Sequence, residues 1–156
     1  WQQYHDKPNI RVFKTYSLSH QGEGDLLTER LCEQIKQEYP NNTYLSYPDA
    51  TGRAKHSSAR YSDIDILRRH FKVMVKHINP LVVNRVNAMN KVLQDNLIID
   101  PSCQDLINDF ERTVNKLNTR EIDKSNKELT HLTDALGYSV EWEYPVGKPK
   151  LWSVDR

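Results

Sequence analysis

The sequence predicts an α/β fold built on a partly parallel sheet. Three observations point there. The chain opens with a β-rich run, an amphipathic helical run and a second β-rich run, which is the strand–helix–strand order of a parallel crossover. Strand and helix patterns go on alternating towards the C-terminus. Composition, at 37% hydrophobic and 28% charged over 156 residues, suits one globular domain with a modest core, spanning residues 1–156.

Each element has its own signal. Ile10 to Leu18, IRVFKTYSL, is rich in β-branched and aromatic residues and reads as a strand. After the turn HQGEGD, a helix starts at Asp25 and sets Leu27, Leu31, Ile35 and Tyr39 on one face. Pro40-Asn41-Asn42 ends it, and Thr43 to Tyr47 is the next strand. Gly52 to Ser58 is expected as an exposed loop, followed by a short helix over Asp63 to Phe71 with Ile64, Leu67 and Phe71 facing in. Lys72 to Ile78 alternates as a strand does. Asn79-Pro80 then reads as a cap with proline opening a helix whose stripe is Val82, Val86, Met89 and Leu93. Asn96 to Asp100 is a short strand, and Ser102 caps a helix with Ile107, Phe110, Val114 and Leu117 inward. A polar connection, Asn118 to Asn126, leads to a helix from Lys127 to Leu136 that Gly137 stops. Ser139 to Tyr144, SVEWEY, alternates and reads as a last strand.

Composition also bounds function. No apolar run approaches the roughly 18 residues that span a bilayer, so no membrane partner is expected. The first ten residues, WQQYHDKPNI, have neither the basic start nor the apolar core of a signal peptide. Cys32 and Cys103 lie far apart with no metal-ligand spacing, which fits a reducing, cytoplasmic setting with both thiols as packing residues. Net charge is +1, yet residues 51–91 hold nine Lys or Arg against Asp63 and Asp65, a local +7 that leaves −6 on the rest. A basic segment of this kind suits a polyanion such as DNA or RNA, or else a set of scattered solvated charges.

Two acids stand out against this background. Asp49 follows the strand TYLSY, and the carboxyl ends of strands are where open α/β sheets meet ligands. The competing reading makes Asp49 a turn residue of Pro-Asp-Ala-Thr-Gly. Asp134, in HLTDALGY, shares a helix face with His131 three residues earlier, away from the stripe of Leu129, Leu132 and Leu136. A carboxylate on a half-buried helix is costly unless it is paired or holds a metal. Its competing reading is a salt bridge to Lys124, Lys127 or Arg85. Two carboxylates, one after a strand and one on a later helix, suit a hard cation such as Mg2+ or Mn2+. Two such ions about 4 Å apart stabilise both oxygens that exchange when a phosphodiester is hydrolysed. Other chemistries lack their motifs: there is no phosphate-binding G-x-x-x-x-G-K-[ST], no G-x-G-x-x-G, no G-x-S-x-G and no H-E-x-x-H.

Five blocks then fall in a particular order. They are YPDATGRAKHSSARYSDIDILR from Tyr47, NPLVVNRVNAMNKVL from Asn79, IDPSCQDLINDFE from Ile99, EIDKSN from Glu121 and LTHLTDALGY from Leu129. In this order they resemble the C-terminal nuclease domain of tailed-bacteriophage terminase large subunits, over about Val12 to Tyr144. The resemblance implies a ribonuclease-H-like fold, a mixed central sheet flanked by helices on both faces. It implies a divalent-metal-dependent endonuclease that cuts concatemeric double-stranded DNA during genome packaging in the cytoplasm of an infected bacterial host. It further implies a portal protein, a small terminase subunit and an ATPase domain in the same chain as partners.

Carried over by residue, Asp49 matches the family's second acid and Asp134 its third, so both would be catalytic metal ligands. His131 matches a histidine three before the third acid. Arg85 matches a basic residue of the helix after Asn-Pro, and Lys124 the lysine of the Asp-Lys block beside Asp123. Arg53, Lys55 and Arg60, with Arg85 and Lys124, would meet DNA phosphates. The family's first acid, in a Gly-x-Asp block on the first strand, has no counterpart here. The expectation is therefore a fragment lacking that strand and the upstream ATPase domain. Two other functions stay open: a DNA-gripping and docking domain without activity, or another ribonuclease-H-like nuclease such as a resolvase or an exonuclease.

Overall fold

The computed structural model describes residues 10–16, 24–55, 60–95, 97–119, 121–123, 125–126 and 129–146. Within these the chain is a mixed α/β protein. Strand β1 (Ile10–Val12) is followed by helix α1 (Gly24–Glu38), strand β2 (Leu45–Ser46), a 3₁₀ turn (Ala50–Arg53), helix α2 (Asp63–His70) and strand β3 (Lys72–Val73). Helix α3 (Val82–Asp95), strand β4 (Leu97–Ile99), helix α4 (Gln104–Arg112) and helix α5 (His131–Glu143) complete the order.

The parallel pairing expected from the strand–helix–strand order is present, between different partners. β1 pairs in parallel with β4, in the register Ile10 to Leu97, and β2 pairs in parallel with β3, in the register Leu45 to Lys72. The described strands thus form two two-stranded parallel pairs, each joined through intervening helices. All four strands are shorter than their sequence patterns. Phe13 to Tyr16 leave the ladder after Val12, and beyond Val73 the Met74 amide makes one more bond to Ser46, at 2.8 Å, before Val75 leaves it.

Local chemistry sets the start of α2 but not those of α3 and α4. Ser62 and Asp65 form a reciprocal capping box at the start of α2, each side chain taking the other's backbone amide. At the start of α4 the capping position is Cys103 rather than the expected Ser102. The Ser102 hydroxyl and amide instead donate to the Asp100 carboxylate at 2.6 and 2.9 Å, closing a turn. Asn79 does not cap α3, which begins three residues later.

The core lies where α3 meets α5. Ala88, Met89, Val92 and Val140 are buried together, ringed by Ile10, Leu97, Phe110, Leu136 and Tyr144. The stripe of α3 is therefore rotated from its expected phase. Arg85, Ala88, Met89 and Val92 face inward, while Val82 and Leu93 are 39% and 43% exposed along an open cleft. On α1 the expected face holds: Leu27, Leu31, Ile35 and Tyr39 are all half-buried, with Cys32 beneath them. On α4, Leu106 is buried and Ile107 and Phe110 half-buried, but the helix ends at Arg112 and leaves Val114 and Leu117 exposed.

The largest difference from expectation is α5. Gly137 does not stop it; the helix runs through to Glu143 and absorbs all of SVEWEY but Tyr144, which caps it. Leu132, Leu136, Val140 and Tyr144 continue one four-residue stripe, and burial of that stripe outweighs the glycine's cost of about 1 kcal/mol. A Cβ on Gly137 would meet Arg85 Cβ and Cδ at 3.7 and 3.8 Å, so the glycine marks close packing of α5 on the Arg85 stem.

Candidate active site

The site grows from α5, which must begin in the right place to carry it. Thr130 sits ahead of the helix with φ 76°, in the left-handed region, and its side chain caps nothing. The cap comes from α4 instead. The buried Asp109 carboxylate accepts from the backbone amides of Leu132 at 3.0 Å and Thr133 at 3.4 Å. A carboxylate there satisfies two otherwise open donors and the positive end of the helix dipole. No local pattern marks Asp109 for this job, because its partners lie more than 20 residues downstream in the chain.

From that start, His131 is exposed at the first turn, Asp134 lies one turn on, and Tyr138 follows four residues after Asp134. Asp134 is half-buried and pairs with Arg85 of α3, Nη1 to Oδ1 at 3.1 Å; the same nitrogen lies 3.3 Å from the Asp134 carbonyl oxygen. The salt bridge weighed for Asp134 is thus present, with Arg85 as partner. Arg85 itself is only 6% exposed and lies with its guanidinium 4.5 Å from the centre of the Tyr138 ring.

Tyr138 reaches the other acid. Its hydroxyl donates to Asp49 Oδ2 at 2.8 Å, across 89 positions of sequence. Asp49 stands at the head of the 3₁₀ turn after β2, and its Oδ1 accepts from the Thr51 amide at 2.7 Å and hydroxyl at 2.8 Å. Asn79 donates to the same oxygen at 2.6 Å and accepts from the Ala50 amide at 2.8 Å. The turn role weighed for Asp49 is therefore also present. Burial pushes the Asp49 carboxyl up, but the hydrogen bonds from Asn79, the Thr51 amide, Tyr138 and the Thr51 hydroxyl outweigh it and hold it near 2. Burial, then the bond to Asp49, pushes the Tyr138 phenol up to about 12; the Arg85 charge opposes this, and the Asp49 and Asp134 charges both add to it.

The two acids picked out by sequence therefore sit at the ends of one side-chain chain, Asp49–Tyr138–Arg85–Asp134. Sequence reasoning missed the two residues that organise it, Tyr138 and Asn79. Their signal was adjacency to the quoted blocks: Tyr138 closes HLTDALGY and Asn79 opens NPLVVNRV. Among the described residues, no group of three or more His, Cys, Asp or Glu side chains is placed to hold a metal ion together.

The rest of α5 is tied to β2 and to the segment after β3. Lys76 pairs with the buried Glu141 and lies 5.9 Å from the Trp142 ring centre. Tyr47 donates to Glu143 at 2.5 Å, and its ring lies 6.3 Å from that of Trp142. Burial, then the bond to Glu143, pushes the Tyr47 phenol up to about 12.

The expected phosphate contacts separate into different settings. Arg53 donates to the carbonyls of Lys76 at 2.8 Å and His77 at 3.2 Å, bracing the 3₁₀ turn. Lys55 is exposed. Arg60 is exposed and lies 5.4 Å from the Tyr61 ring, which Arg69 also covers at 3.6 Å. Arg85 is buried on the acid chain, and Lys124 lies outside the described residues. His131 lines a separate open cleft with Asp109, Arg112 and Asn126.

Comparison with protein families, with curated proteins and with solved structures finds no match to this chain.

Proposed function

We propose that this chain is the nuclease domain of a viral DNA-packaging terminase, a metal-dependent endodeoxyribonuclease that cuts concatemeric double-stranded DNA. The observation that carries the reading is the link from Asp49 through Tyr138 and Arg85 to Asp134. It joins two carboxylates that the sequence picked out independently, 85 positions apart. On this reading the two parallel strand pairs belong to one ribonuclease-H-like mixed sheet. Double-stranded DNA is the substrate. A portal protein, a small terminase subunit and an ATPase domain are the partners, in an infected bacterial cell. Among the described residues no helix is long and apolar enough to cross a membrane, which suits that setting.

The donor set fits Mg2+ or Mn2+ in kind, since Asp49 and Asp134 offer hard oxygen ligands and Asp49 is held ionised far below neutral pH. When bound there, such ions polarise a phosphodiester and supply an activated water. The chain's own residues do the rest. Asn79 and Thr51 fix Asp49 in one orientation, Tyr138 joins it to α5, and Asp109 fixes the helix end that aims Asp134. The reading gives His131, which lines the neighbouring cleft one turn before Asp134, a role in orienting the scissile strand, and gives Lys55 and Arg60 contacts to phosphates.

A second reading has its own support. Asp134 is paired with Arg85, and Asp49 Oδ1 already takes three donors, as in a domain that grips DNA without cutting it. Nicking of supercoiled plasmid in Mn2+ separates the two. The nuclease reading expects cleavage by the parent chain and its loss in Asp49→Asn and Asp134→Asn, with binding retained. No cleavage by the parent, together with binding that weakens steeply as salt rises, supports the grip instead. Undiminished cutting by Asp49→Asn removes the assignment of that residue.

A further inference from the structure

The Arg85 guanidinium has an unusual position. It is 6% exposed, on the inner face of α3, and its ionic partner is a carboxylate assigned above to a cation. A buried arginine is costly unless its donors are used. Here Nη1 serves Asp134 while the buried Nε finds no hydrogen-bond partner among the described residues. One unmet buried donor costs on the order of 1–3 kcal/mol, so this conformation is held less firmly than a fully bonded arginine would be. The arginine stem packs on α5 at Gly137, where a Cβ would lie at ordinary contact distance from it. Arg85 and Asp134 also both line an open cleft of about 290 Å³ between α3, α4 and α5, walled by Val86, Met89, Phe110 and Ile122. The cleft gives an ion a route to Asp134 and gives the side chain space to leave it.

We propose that Arg85 is a built-in substitute for the cation: its guanidinium occupies Asp134 when no ion is bound, and a divalent ion must displace it from that carboxylate. This rests on the reading that Asp49 and Asp134 hold a metal. Arg85 thereby has two states, paired with Asp134 in the ion-free protein and released towards a nucleic-acid phosphate in the loaded one. An arginine suits both states, because its planar fork matches carboxylate and phosphate alike. As a positioning residue, Arg85 sets the affinity for the ion, not the chemistry that follows.

The test is calorimetric titration of Mn2+ into the full chain, without DNA, for the parent, Arg85→Gln, Arg85→Lys and Asp49→Asn. Removing the competitor should tighten Mn2+ binding about tenfold in Arg85→Gln, the equivalent of ~1.4 kcal/mol. Arg85→Lys, which keeps the charge but loses the fork, should fall between it and the parent. Asp49→Asn should bind more weakly than all three. Equal or weaker binding in both Arg85 variants overturns the substitution while leaving the metal site intact. No Mn2+ binding by the parent or by Arg85→Gln overturns the metal reading itself, and this inference with it. Near-ultraviolet circular dichroism checks that each variant is folded, and if Arg85→Gln is not, Arg85→Lys decides: tighter binding than the parent supports the proposal, and parental affinity refutes it.

Discussion

Replacing Tyr138 with Phe removes one atom from the middle of the acid chain and leaves the ring beside Arg85 in place. The lost bond, 2.8 Å from hydroxyl to Asp49 Oδ2, is charge-assisted, and bonds of that class contribute roughly 1.5–3 kcal/mol when buried. Asp49 is only half-buried, water can replace part of the bond, and Oδ1 keeps its donors from Thr51 and Asn79. A destabilisation of about 1 kcal/mol at pH 7 follows, near or below the bottom of that range. With a urea dependence of ~2 kcal/mol/M, the unfolding midpoint drops by about 0.5 M. The effect must depend on pH. Asp49 is held down to about 2 in the folded chain against an ordinary 3.8, so its ionised form adds stability above 3.8 that is lost as pH falls towards 2. Tyr138→Phe lifts the folded value part of the way back. The gap between parent and variant should therefore be widest at neutral pH and shrink at pH 3. Urea titrations at both pH values and a carboxyl-resolved NMR titration of Asp49 measure it. A gap of the same size at pH 3, or an Asp49 titration that does not move up in the variant, refutes the bond as described.

Three further outcomes follow from the same geometry. Asp109→Ala leaves the Leu132 and Thr133 amides without their carboxylate and should cost about 1–2 kcal/mol in urea unfolding, with Asp109→Asn costing less. Gly137→Ala places a Cβ at ordinary contact distance from Arg85 in a helix interior, so it should stabilise by about 0.5–1 kcal/mol and raise Tm by a few degrees. On the nuclease reading, His131→Ala should lower plasmid cleavage while far-ultraviolet circular dichroism shows α5 intact.

Much of the helical architecture was legible, because its signals are local. The four-residue steps of α1 are written in its own turns, and the short helix α2 in the apolar steps of Asp63 to Phe71, though its Ser62–Asp65 cap went unread. The last helix was misread because two periods coincide there. Val140, Trp142 and Tyr144 alternate as a strand would, yet Val140 and Tyr144 also continue the helical stripe of Leu132 and Leu136. Packing on α3 decides between them, and a six-residue window does not contain that information. The phase of α3 failed for a related reason. Arg85 is legible as a salt-bridge candidate for Asp134, but that this pair turns Arg85 to the buried face of α3 depends on a residue 49 positions away. Asp49 and Asp134 were legible as candidates because a carboxylate after a strand and one on a half-buried helix are each anomalous. What joins them was not, since Tyr138, Asn79 and Asp109 acquire their roles only through contacts between 23 and 89 positions distant.

The central claim is that Asp49 and Asp134 act as one cation site, and paramagnetic Mn2+ tests it most directly. Added in small steps to isotopically labelled protein, it broadens NMR signals of nearby nuclei. The account predicts that the amide signals of Asp49 to Thr51 and those of Asp134 to Tyr138 broaden together, at the same Mn2+ concentration, and that Asp134→Asn weakens both. Broadening of one group without the other, or of neither while signals elsewhere respond, contradicts it.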